Sequence, residues 1–196
     1  MAPAEQLRRA VACVAILNLA YFGVELSVAL RIGSVSLLAD SADFFEDAAV
    51  NLLIFAALGW SARARARAGM AMAGVLLIPA LAFLWTLYRK LADPAAPDAL
   101  QLGLTGTGAL VVNLGCAFLL ARHRTQAGSL TKAAFLSARN DAYANLAIIA
   151  AGLATARWPS IWPDVVVGLG VAAMNLDAAR EVWTAAREEH TEAPRA

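Results

Sequence analysis

Apolar positions fall along the chain in six long blocks, at about 10–30, 36–60, 69–88, 98–121, 131–156 and 162–183, separated by short polar joints. A helix that crosses a bilayer needs about 20 mostly apolar residues, and each block supplies that length. The joints carry helix-breaking punctuation: Arg31 to Ser34 with Gly33, the Arg63, Arg65, Arg67 run, Asp93-Pro94 with Pro97, Arg122 to Ser129, and Trp158-Pro159 with Pro163. The pattern predicts an all-α integral membrane bundle of six transmembrane helices over residues 1–183. The segment 184–196 reads as a short cytoplasmic tail, too polar to order itself.

Composition sharpens this picture. Of 196 residues, 60% are hydrophobic and 16% charged, with a mean hydropathy of +0.61, whereas soluble domains carry roughly 25% charged residues. A net charge of +1 offers no basic face to neutralise phosphates, so no nucleic-acid partner is expected. Cys13 and Cys116 both fall inside apolar blocks, which excludes a disulfide framework. The first block is too long for a signal peptide and lacks a cleavage site, so it reads as a span. Eleven of the sixteen Lys and Arg residues fall on one side of the predicted bundle and four on the other, with Arg139 inside the fifth block. Basic residues stay preferentially in the cytoplasm, so both termini are expected there. Trp85, Tyr88, Trp158 and Trp162 read as interface anchors, and the Gly103, Thr107, Gly108 stripe as a close-packing surface.

Against that background the acids of the second block stand out. Asp40, Asp43, Glu46 and Asp47 sit in a stretch that is otherwise apolar, and a charge near the bilayer centre costs at least about 2.5–3.5 kcal/mol. Asp40, Asp43 and Asp47 share one helix face, with Glu46 on the adjacent flank. Asp43 and Asp47 are one turn apart, roughly 5–6 Å between Cβ atoms, which suits chelation. The fifth block answers with Ser137 and Asp141 at the same four-residue spacing, and with the amides of Asn140 and Asn145. At 1.5 Å per residue, Asp47 counted from Ser36 and Asp141 counted from Leu130 each lie roughly 16 Å in from opposite ends. Two such helices running in opposite directions bring carboxylates to one depth. There they are expected to bind either a divalent cation or protons, so the two compete, which is the chemistry that metal–proton exchange requires.

The segment Ser36 to Asp47, Ser-Leu-Leu-Ala-Asp-Ser-Ala-Asp-Phe-Phe-Glu-Asp, resembles the second-span signature of the cation diffusion facilitator family. Lys132 to Asp141 is similar to its fifth-span motif, and Trp162-Pro-Asp-Val-Val-Val-Gly168 to the entry of its sixth span. The resemblance covers essentially the whole chain. It implies proton-coupled efflux of a divalent metal by alternating access across the cytoplasmic (inner) membrane, by a homodimer. The implied metal ligands are Asp43, Asp47 and Asp141, with Ser137 where the family typically has His or Asp.

The implied cargo is Zn2+ foremost, with Cd2+, Mn2+, Fe2+ and Co2+ suited to the oxygen-rich set, and H+ is the coupling ion. On this resemblance the chain is expected to be a short form, without counterparts of the family's C-terminal cytoplasmic domain and His-rich loop. Dimerisation is therefore expected through the membrane part, or to be weak. Glu25, Asp40, Glu46 and Arg139 read as pathway, packing or charge-compensating groups, and Cys13 and Cys116 as small apolar fillers. Two other readings compete with transport. One is an inactive or accessory membrane subunit; the other is a membrane-embedded metalloenzyme, which lacks any H-E-x-x-H pair or nucleophile with a base, so no enzyme activity is expected.

Overall fold

The computed structural model describes residues 3–57, 80–121 and 128–176, with the side chains of 128–139 and of a few helix-end positions left out. Among the described residues there are six helical segments and no strand. They are α1 (Pro3–Ile32), α2 (Val35–Ala57), α3 (80–92), α4 (Ala99–Ala121), α5 (Gly128–Arg157) and α6 (Trp162–Leu176). Each begins or ends within a few residues of an apolar block wherever that end is described. The first helix starts earlier than its block, at Pro3, and its polar first turns carry an exposed i,i+4 pair in which the Arg9 guanidinium reaches Glu5 at 2.9 Å. Residues 58–79, 122–127 and 177–196, which include the Arg63–Arg67 run, His123, Asp177 and the tail, lie outside the described residues.

The helix boundaries follow from local chemistry. Gly33 turns the chain between α1 and α2 at φ 62°, a left-handed conformation that a Cβ disfavours. Ser34 then caps α2, its Oγ accepting from Leu37 N at 3.2 Å, and Asp98 caps α4 through Gln101 N at 2.8 Å.

The bundle packs an apolar cluster that includes Leu37, Leu38, Leu102, Ile148 and Val165, buries polar side chains beside it, and is apolar on its outside. Asn18, Glu25, Asp40, Asn113, Asn145 and Asp164 are buried, while Ile16, Val24, Leu104, Val111, Leu153 and Val166 are exposed. A water-soluble domain would aggregate through such a surface; in lipid it is the favourable face. Trp85, Tyr88, Trp158 and Trp162 are all exposed. Two helices, Arg8–Ile32 and Ala99–Ala121, are long and apolar enough by themselves to cross a membrane among the described residues. The acids lower the apolarity of α2.

Between apolar helices in lipid the hydrophobic effect supplies little, so close packing and interhelical hydrogen bonds carry association. α1 packs on α2 and α4, and α4 on α5. A Cβ at Gly152 of α5 would stand 3.0 Å from the Gly103 backbone of α4, while Gly108 lies against Tyr21 of α1 and Thr107 is exposed, so the expected small-residue stripe divides between two neighbours rather than forming one packing surface. Tyr21 OH donates to Thr105 O at 2.6 Å between α1 and α4.

At one end of the bundle a single carboxylate gathers three joints. Asp164, in the first turn of α6, accepts from Ser34 Oγ at 2.6 Å, Ser36 Oγ at 2.7 Å, Val35 N at 2.9 Å, Ser36 N at 3.1 Å and Lys90 Nζ at 2.6 Å. It thereby satisfies the open N–H groups of α2 and ties α2, α3 and α6 together. Arg31 reaches Gln101 Oε1 at 2.6 Å, linking α1 to the start of α4.

Candidate metal centre

The start of α6 follows the end of α5 by only a few residues and is bonded to the start of α2. The end of α5 and the start of α2 therefore lie at the same end of the bundle, and the two helices run antiparallel.

One hydrogen bond sets their register. Asn145 Nδ2 of α5 donates to Asp40 Oδ2 of α2 at 2.6 Å, and Asn113 Nδ2 of α4 donates to Asn145 Oδ1 at 3.0 Å. Four residues along either helix is a step of about 6 Å. Moving four residues back along α5 and four forward along α2 places Asp141 level with Phe44, between Asp43 and Asp47. Ser137, one turn further, comes level with Ala48.

The electrostatics agree with that placement. Asp43 and Asp47 on α2 and Asp141 on α5 lie within electrostatic reach of one another, and Glu46 joins the group. All four are half-buried, whereas Asp40 is fully closed to solvent. Among the described residues no three His, Cys, Asp or Glu side chains are gathered closely enough to hold an ion. The acids are neighbours rather than a closed cage. Carboxylates in such a water-poor space attract either a divalent cation or protons.

A second layer comes from α1 and α4. Asn18 Nδ2 donates to Asp47 Oδ2 at 3.4 Å, and the Cys116 thiol donates to Asn18 Oδ1 at 3.7 Å. Asn51 Nδ2 donates to the Asp47 carbonyl at 2.7 Å. Partners of this kind orient a buried carboxylate.

Other residues that stand out in the sequence find their places around these acids. Asp40 belongs to the packing of α2 against α5, Glu25 is fully buried on α1, Cys116 is buried, and Cys13 is exposed on the apolar surface. Asn145 faces inward as a bridge to Asp40, but Asn140 is exposed. The backbone of Ser137 and Arg139 belongs to α5, and their side chains lie outside the described residues. Hydropathy and charge do not single out Asn18 or Asn113. Helix periodicity does reach Asn18, since it stands seven residues before Glu25 and so shares its helix face.

A comparison with curated proteins found no match. The family model of the cation efflux transmembrane domain matches residues 11–188, which reaches into every described helix and takes in all four predicted ligand positions. With a helical bundle that buries polar side chains beneath an apolar surface, acids at one level on α2 and α5, and that match over most of its length, the chain belongs to the cation efflux family of membrane proteins that transport metal cations.

Proposed function

We propose that the chain exports a divalent cation, Zn2+ foremost, in exchange for protons across the cytoplasmic membrane. Asp43, Asp47 and Asp141 bind the ion, and the Ser137 position completes the set on the inner side of Asp141. Both termini face the cytoplasm, and two copies associate through their membrane parts. The observation that supports this reading is the Asn145–Asp40 bond, which registers α5 on α2 with Asp141 at a level along the helix between those of Asp43 and Asp47.

The mechanism uses the competition that this placement creates. A doubly charged cation relieves the mutual repulsion of the three carboxylates and displaces their protons; protons arriving from the other face displace the cation. Because lipid holds neither ion well, the bundle must expose the site to one face at a time. Asn18, whose amide donates to Asp47 Oδ2 at 3.4 Å, is the outer partner that orients this carboxylate toward the ion.

The test is flux into proteoliposomes loaded with acid buffer. Wild-type protein is expected to accelerate zinc uptake and to alkalinise the lumen. Asp47→Ala and Asp141→Ala are expected to abolish both. Flux no faster than in empty vesicles, or unchanged by Asp47→Ala, rejects the proposal.

A further inference from the structure

Two buried acids lie outside the ligand set. Glu25 of α1 and Asp40 of α2 are both fully closed to solvent, and their carboxyl groups lie against each other. Both oxygens of Glu25 and Oδ1 of Asp40 have no hydrogen-bond donor, and Asp40 Oδ2 alone receives one, from Asn145. Among the described residues neither acid pairs with a Lys or Arg. The ionisable groups facing them are Tyr21 on α1, Asp43 on α2 and Asp141 on α5, so no cation among the described residues compensates them. α4 presents the neutral Asn113 through Asn145, and α6 presents Asn175, whose amide donates to the Ala39 carbonyl at 3.3 Å.

Two carboxylates can only accept hydrogen bonds, so as anions they repel across this contact and leave three buried oxygens unsatisfied, each a substantial penalty. One added proton changes the arithmetic: the contact becomes an O–H···O⁻ bond, short and strong in a dry setting. We propose that Glu25 and Asp40 together form a proton-binding site, separate from the metal ligands, that takes up one H+ between their carboxyl groups and gives it up when a divalent cation binds to α2 and α5.

The coupling follows from position. Asp40 lies one turn from Asp43 on the same face of α2, so a cation held at Asp43 and Asp141 lowers the affinity of the neighbouring pair for H+. The O–H bond of the shared acid breaks, the proton passes to water, and the electron pair stays on the carboxylate. By reciprocity, loading the proton weakens the metal. This inference rests on the antiport reading and identifies where one of its protons is carried.

The experiment measures protons released per zinc bound, in weakly buffered detergent solution with a pH-indicator dye, alongside zinc–zinc exchange in proteoliposomes. Wild type is expected to release protons on binding zinc. Glu25→Gln and Asp40→Asn are expected to release fewer, and Glu25→Gln to retain zinc–zinc exchange while losing about tenfold of the proton-driven flux, in the range of a typical coupling between sites. Glu25→Asp is expected to restore release. Proton release unchanged in both neutral variants overturns the proposal. So does loss of exchange in parallel with release, which marks a structural role. Wild-type protein that binds zinc without releasing any proton would instead overturn the antiport reading itself.

Discussion

The Lys90 ammonium donates to Asp164 Oδ2 across 2.6 Å, with 4% and 0% of the two side chains exposed. Lys90 lies near the end of α3 and Asp164 near the beginning of α6, so this ion pair spans two joints of the bundle. Asp164 is held by more than its countercharge, since four donors from the α1–α2 turn and the first turn of α2 converge on it. The two partners are therefore unequal.

Removing Asp164 leaves a buried ammonium and four orphaned donors, whereas removing Lys90 leaves a carboxylate that still accepts from α2. Asp164→Leu is expected to destabilise by about 3–5 kcal/mol, the range for a broken buried pair. Lys90→Met is expected to cost about 1–2 kcal/mol, closer to a single charged hydrogen bond. Thermal unfolding of the purified protein in detergent compares them, and equal losses would contradict the asymmetry.

Close approach of α6 to α2 yields a sharper test. A Cβ at Gly168 would meet Ser36 N and the Val35 carbonyl carbon at 2.9 Å, and backbone cannot step aside cheaply. At Gly170, two residues on, a Cβ meets nothing within 4 Å. Gly168→Ala is thus expected to cost about 1–3 kcal/mol, and Gly170→Ala to be neutral or stabilising by up to about 1 kcal/mol. The same unfolding measurement decides, and indistinguishable variants would place α6 further from α2.

Asn145 joins three helices, giving to Asp40 and receiving from Asn113. Asn145→Leu leaves both partners unsatisfied, at about 1–3 kcal/mol for each buried group. Because that bond also registers α5 on α2, metal affinity is expected to fall although Asn145 touches no predicted ligand. Calorimetric titration with zinc at a temperature where the variant stays folded separates the two effects. Unchanged affinity would mean that the register is held elsewhere.

Much of this is legible in the sequence, for a physical reason. Lipid imposes a minimum length on every apolar block, so the blocks mark the described helix ends to within a few residues, except at the start of α1, and the cost of an intramembrane charge singles out the acids of α2 and Asp141. The interior hydrogen bonds are harder to foresee. Amides such as Asn18 and Asn113 carry no charge penalty that would draw notice, and their partners sit 29 and 32 residues away in sequence on other helices. Asp164 reads as a residue of a span entry; its role as the cap of α2 depends on how α6 packs, which hydropathy does not encode. Asn140 is expected near the site from its proximity to Asp141, yet consecutive helix positions lie about 100° apart, and it faces outward.

Ser137 offers the most direct reading of the metal preference. It stands one turn before Asp141 on α5, at a level just past Asp47, so its position along the helix borders the three carboxylates. A hydroxyl is a weak donor for zinc, which favours imidazole and thiolate in a tetrahedral set, while manganese accepts oxygen ligands readily. Ser137→His adds an imidazole nitrogen at that level of α5. Zinc affinity is expected to rise by about tenfold, corresponding to about 1.4 kcal/mol, with manganese affected much less. Ser137→Leu, of comparable bulk but without a donor, is expected to weaken both metals alike. Calorimetric titration of each metal on the three proteins distinguishes a ligand position from a packing one: if His tightens zinc and manganese equally, or if Leu behaves as His does, position 137 does not face the ion.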